Sequence, residues 1–201
     1  MVRLAKFTED SFIDAAIEVS AQCGIAAMSM SAIAIKAGAP IGSVYHRFDS
    51  RDAILARAWL RVKGDFRSSV ATQWETGDTW AAVASFVNWC RAKPGHAKFL
   101  LQCEDYPMFQ ERLPAALHEA LETEQAALDA TFQRCLRALA PSIDARRAES
   151  VLRFLLIDAP QAIVKPYLTQ NQAIPAIADQ LLRASHDAVR KLATEPLSNR
   201  L

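Results

Sequence analysis

Within the six residues Gly42-Ser43-Val44-Tyr45-His46-Arg47 the sequence gathers two hydroxyls, an imidazole and a guanidinium beside a glycine. On a helix, that set presents hydrogen-bond donors and a cation next to a point where another molecule can approach closely. This is the chemistry of contacting phosphates and base edges, not of breaking bonds. Elsewhere, reactive groupings are sparse. Glu104 and Asp105 are adjacent carboxylates, but acid–base work needs convergent groups, and sequence neighbours point apart. The chain has no nucleophile elbow, no phosphate-cradling glycine loop and no HExxH. Cys23, Cys90, Cys103 and Cys135 form no CxxC, and His46, His96, His118 and His186 share no ligand spacing. The expectation is a binding protein and not an enzyme, with no metal, no cofactor and free thiols.

Charge narrows the kind of contact. The 201 residues carry 23 basic and 22 acidic side chains, so the chain does not coat nucleic acid as a polycation. Residues 1–63 hold 8 basic and 6 acidic residues, and 64–201 hold 15 and 16. Any grip on DNA must come from the placement of a few groups. Met1–Thr8 do not fit a secretory signal, and no run of about 18 apolar residues offers a membrane span. A reducing, cytoplasmic setting is expected.

The elements that must hold these residues are helical. Strand-like alternation is nearly absent, and apolar residues recur at helical spacing. Thr8 is a plausible cap for a first helix bearing Phe12, Ile13, Ala16 and Ile17 and stopping at Gly24. Ser29 caps a second, Met30 to Ala37, ended by Gly38. A third follows from about Pro40 to Phe48, and Ser50 caps a fourth running from Arg51 toward Trp74. Beyond Gly77, longer helices are predicted after Asp78, over His96–Cys103, from about Pro114 to Leu139, over Ala145–Leu168 with kinks at Pro160 and Pro166, and from near Pro175 to Leu192. The fold class is therefore all-α, with about nine helices.

Two short helices around Gly38 have the size of a helix-turn-helix, glycine relieving the Cβ penalty of a left-handed turn. Ile33, Ala37, Val44 and Phe48 would pack on Ile13 and Ile17. This pattern alone fits a DNA-reading module and three merely packed helices equally. The segment Phe7–Leu55 also resembles the DNA-binding domain of the tetracycline-repressor (TetR/AcrR) family. The matching pieces are Ala15-Ala16, Gly24, Ser29, Ile33-Ala34, Ala37-Gly38, Gly42-Ser43-Val44-Tyr45, Phe48, Ser50-Arg51-Asp52 and Leu55.

The resemblance implies an N-terminal helix-turn-helix domain, residues 1–50, and a helical ligand-sensing and dimerisation domain, residues 51–201. It implies that Ser29 meets a phosphate at the second helix N-terminus, that Ile41, Gly42 and Ser43 face the major groove, that Tyr45 and His46 reach phosphates, and that Arg51 clamps another. Lys36 is a further backbone candidate, and Arg3 and Lys6 form either a basic arm or a plain tail. The chain departs from the family pattern in three places. Ser20 replaces a large apolar residue, Pro40 a hydroxyl, and Ile41 a polar or basic residue, so base reading there becomes apolar, as against a thymine methyl.

For the second domain the resemblance implies a homodimer through the last two long helices, with candidate contacts Val151, Phe154, Leu155, Ile177, Leu181, Leu182 and Val189. A small-molecule effector would lie among the middle helices, where Trp80, Phe86, Trp89, Phe99, Cys103, Tyr106 and Phe132 are candidate lining residues and Asn88, Gln102 and His118 candidate polar anchors. The implied partners are double-stranded DNA with a palindromic operator, the effector and a second copy, with no membrane. The implied outcome is a repressor that the effector releases. An all-helical small-molecule-binding or scaffold protein without DNA contacts is the other reading.

Overall fold

A computed structural model describes residues 7–104, 109, 113–139 and 145–194. Arg3, Lys6, Asp105, Tyr106 and the tail after Thr194 lie outside them. Among the described residues there is no strand, and every regular element is helical. The helices are α1 (Glu9–Cys23), α2 (Met30–Ala37), α3 (Ile41–Tyr45), α4 (Arg51–Phe66), α5 (Thr72–Trp74), α6 (Thr79–Ala92), α7 (Pro94–Glu104), α8 (Ala115–Leu139), α9 (Ala145–Arg153), α10 (Ala159–Thr169) and α11 (Ile177–Thr194). Two π-helical turns, Arg67–Ala71 and Phe154–Asp158, join α4 to α5 and α9 to α10. Among the described residues these eleven α segments make nine helical runs, against about nine expected from the apolar spacing.

Local chemistry sets most of the starts. Thr8 caps α1 through a reciprocal box with Ser11, Ser29 accepts from Ala32 N–H, Ser50 from Ala53 N–H, and Asp78 from Trp80 and Ala81 N–H. α6 stops at Ala92, and Pro94 opens α7, where its missing N–H costs nothing. The second π turn lies just before Pro160, in the first turn of α10. Proline there supplies no amide to the preceding turn, and the register slips by one residue. The first π turn has no proline beside it, and its cause is not visible in the sequence.

The chain compacts into two units: Met1–Asp65 with Gly95–Gln125, and Phe66–Pro94 with Ala126–Leu201. These cuts differ from a division at residue 50, because α4 packs as part of the first unit. Ile54, Leu55, Ala58 and Val62 are fully buried, and Arg57 and Arg61 on the same helix pair with Glu9, Asp10 and Asp14 of α1. The core of the first unit includes Phe12, Met28, Ile33, Val44 and Phe48, with Phe12 edge-on to Phe48 at 6.3 Å. Ser20 is fully buried in that core. Its hydroxyl donates to Ala16 C=O and lies 3.4 Å from Met28 Sδ, so the polar substitution is satisfied rather than left as a gap.

The second unit has its own core, in which α6 packs against α10 and α11. Arg91 of α6 binds the carbonyls of Ile174 and Pro175 and the carboxylate of Asp179, which holds the start of α11 in place. Beside it, buried His186 of α11 bonds Thr79 Oγ1 at 2.8 Å and lies edge-on to Trp80.

Candidate nucleic-acid interface

The turn between α2 and α3 decides which side chains face outward. Gly38 sits at φ +65° and ψ 31°, a left-handed conformation that a Cβ disfavours. Its N–H and that of Ala39 close the end of α2 on Ala34 and Ile35 carbonyls. The chain therefore turns sharply into α3, where Val44 points inward and is completely buried.

The other side of α3 is open. Ile41 is 46% and Tyr45 58% exposed, and Gly42 and His46 are exposed as well. Ser43 is half-buried. A Cβ built on Gly42 would meet nothing within 4 Å, so this stretch of backbone is free to approach another surface. Ser29 is exposed one helix earlier, its oxygen accepting from Ala32 N–H while its hydroxyl hydrogen stays available. The structure thus brings Ile41, Gly42, Tyr45 and His46 together on one exposed side.

Two cations behave differently from expectation. Arg47, read as part of the outward set, folds back: Nη2 donates to Phe7 C=O at 2.8 Å and Nη1 to Ser43 C=O at 3.1 Å, with the guanidinium over the Phe12 ring. Arg51 is also turned inward. Its Nε donates to Met28 C=O at 2.7 Å, Nη2 to Ile25 C=O at 2.7 Å and Nη1 to buried Asp52 at 3.0 Å. Ile25 C=O already accepts from Met28 N–H at 3.1 Å, and the guanidinium fork adds a charged donor to it and another to Met28 C=O. Arg51 is thus a staple within the domain, where the resemblance implied a phosphate clamp. Lys36 is exposed and pairs with Glu18 at 2.7 Å.

Residues 12–58, which contain this whole arrangement, match the family model of bacterial regulatory proteins, tetR family. The match spans the first three helices and the start of α4. Solved structures resemble the chain over nearly its full length. A transcriptional regulator from Rhodococcus sp. Rha1 aligns with a TM-score of 0.69 at 18% identity, covering 94% of this chain and 100% of that one. The fatty acid degradation regulator FadR from Bacillus halodurans gives 0.62 at 17% identity with both chains fully covered. The multidrug binding protein EbrR, solved with imidazole, gives 0.56 at 19% identity over 94% of this chain and 97% of that one. Likeness at these identities establishes the shared all-helical fold. Curated protein sequences yield no match.

The residues expected to line an effector site divide between the two units. In the second, Phe86 and Trp89 of α6 pack on Phe66 with ring centroids 6.2 and 5.5 Å away, and Phe66 also meets Trp74, which meets Phe132 of α8. Phe66 is a link absent from the candidates named from the sequence, and Trp74 is named there only as the end of the fourth helix. The signal for Phe66 is its aromatic spacing from Trp59 and Trp74 on that run. The indole N–H of Trp74 is buried with no hydrogen-bond partner. Trp80 stands apart from this group, between His186 and the Arg183 guanidinium. Phe99 and Cys103 are buried in the first unit, as is an unpartnered Oε1 of Gln102. Asn88 and His118 are exposed, and His118 pairs with Glu122. Arg67, Thr72, Glu75, Ala127, Ala130, Thr131 and Arg134 line a cleft of about 200 Å³ in the second unit, below the usual range for a drug-sized ligand.

Of the expected dimer contacts, Phe154, Ile177 and Leu181 are 38%, 49% and 53% exposed, an unusual state for large apolar side chains. Val151 and Val189 are half-buried. Leu155 and Leu182 are buried in the chain's own interior and belong to its core, a correction to their reading as contacts. Among the described residues no helix is long and apolar enough to cross a membrane, and no cluster of three His, Cys, Asp or Glu could hold a metal.

Proposed function

We propose that this chain is a DNA-binding transcriptional regulator that works as a homodimer on a palindromic operator and is released by a small-molecule effector. One observation carries the reading: within the segment matching the tetR-family model, Ile41, Gly42, Tyr45 and His46 stand together on one exposed side. A five-residue helix buries little surface against DNA, so two copies reading both half-sites are needed for useful affinity. The apolar exposure of Phe154, Ile177 and Leu181 supports a second copy packing there. The protein is read as a binding protein of the cytoplasm rather than an enzyme.

For the effector, the ring group Phe66, Trp74, Phe86, Trp89 and Phe132 is the better candidate. It is apolar, and Trp74 holds an unused buried donor within it. The sensing and reading parts are joined in sequence through the run Arg51–Trp74, with its π-helical turn at Arg67–Ala71. A ligand that binds one state of this run better than another shifts the population toward that state, by no more than its difference in affinity for the two. The test is a gel shift on DNA upstream of the chain's own coding sequence, combined with sedimentation. Two subunits per fragment and loss of binding in a Tyr45→Ala/His46→Ala variant are expected. Unchanged binding by that variant, or one subunit per fragment, would overturn the reading.

A further inference from the structure

The described part of the DNA-facing unit up to Asp65 has an unusual electrostatic character. Residues 7–65 contain six Lys and Arg against seven Asp and Glu. Every one of those six cations is already engaged. Lys36 pairs with Glu18, Arg57 with Glu9, and Arg61 with Asp10 and Asp14. Arg47 and Arg51 are committed to backbone carbonyls, and Lys63 sits over the Trp59 ring at 5.3 Å. The commonest base-specific contact in DNA recognition is a guanidinium or ammonium on guanine O6 and N7. The outward side of α3 has no cation to make it.

What that side offers instead is an aliphatic group. Ile41 opens α3 and leaves nearly half its surface in water, while Gly42 beside it leaves nothing to hold the helix off a groove floor. In the major groove the one apolar feature on a base edge is the thymine C5-methyl. We infer that this chain selects its half-site by thymine methyl contact through Ile41, without a guanidinium–guanine pair from α3. The inference rests on the DNA-reading proposal above and specifies the base chemistry of that same surface.

Two steps test it with the full-length protein. Bound duplexes are first selected from a random pool, and each enriched thymine is then replaced singly by deoxyuridine, which removes only the methyl. At one thymine per half-site the native protein should bind about fourfold more weakly, the factor for one methyl-sized group losing its burial. Replacing both symmetry-related thymines should give about fifteenfold. The Ile41→Ala variant should bind the thymine and uracil duplexes equally. Neutral replacement at every thymine would overturn the inference. So would a uracil penalty that persists in Ile41→Ala, or a loss of binding when an enriched guanine is replaced by its 7-deaza analogue. Failure to enrich any sequence would overturn the DNA-reading proposal itself, and is distinguishable because no duplex would then exist to modify.

Discussion

Replacing Arg51 by methionine separates two roles that the sequence alone does not distinguish. The side chain makes two bonds to main-chain carbonyls, at Ile25 and Met28, both 2.7 Å long. Bonds from a charged donor contribute about 1.5–3 kcal/mol each, and the low end applies because the guanidinium is 23% exposed. Methionine keeps the stem packing and removes both, together with the Nη1 bond to buried Asp52, so the loss is at least about 3 kcal/mol. For a chain of this size that lowers the melting temperature by about 6–12 °C. Circular dichroism at 222 nm during heating and in urea measures it directly. Lysine at the same position should rescue little, since an ammonium cannot span two carbonyls as a planar fork does. At temperatures where the variants are folded, affinity for selected DNA should fall by less than about tenfold, or 1.4 kcal/mol. The reasoning is refuted if Arg51→Met melts within a degree of the native protein while DNA affinity drops tenfold or more. That result would restore the phosphate clamp.

Other expectations follow from the same contacts. Glu18→Gln frees Lys36 from its 2.7 Å partner, so DNA affinity should rise and the salt dependence of log K should steepen by about two in a dimer, one phosphate contact per subunit. An unchanged slope would leave Lys36 away from the phosphates. Burial pushes the Cys90 thiol up to about 12 and the Cys135 thiol up to about 11, and Cys103 is buried too, whereas Cys23 is exposed. Ellman's reagent should therefore titrate one thiol rapidly in the native protein and four after denaturation. Hydrogen bonding from Arg91, reinforced by its charge, holds the Asp179 carboxyl below its ordinary 3.8. A lowered folded value means that the pair's stabilisation is complete above that range and is lost as pH falls through the folded value. Asp179→Asn should cost about 1 kcal/mol at neutral pH and flatten the acid limb of stability, which urea melts between pH 2 and 7 would show. Leu181→Glu places a charge on an exposed apolar side chain of α11 and should yield a folded monomer by sedimentation.

The features legible in the sequence are those determined within a few residues. Thr8, Ser29, Ser50 and Asp78 were readable as caps because a cap needs only its own side chain and an amide two or three positions later. Gly38 was readable because only its own torsion is at stake. Illegible were choices made between distant positions. Arg47 and Phe7 are 40 residues apart, and Arg51 and Ile25 are 26 apart, so a guanidinium that looked exposed found carbonyls instead. Ile177 and Leu182 likewise read alike as apolar helix residues, yet one lies at the surface and the other inside. The joining of Phe66 and Trp74 to the α6 and α8 aromatics depends on a π-helical turn that no proline or glycine announces.

Gly42 offers the sharpest test of the groove-facing surface. A Cβ there would meet nothing within 4 Å, the position is exposed and no left-handed torsion bars it, so Gly42→Leu should fold with a melting temperature close to native. The leucine would stand between α3 and the groove floor. Affinity for selected DNA, measured by fluorescence anisotropy, should fall by at least about tenfold, or 1.4 kcal/mol. Native-like affinity in a folded Gly42→Leu protein would show that DNA is met by some other surface.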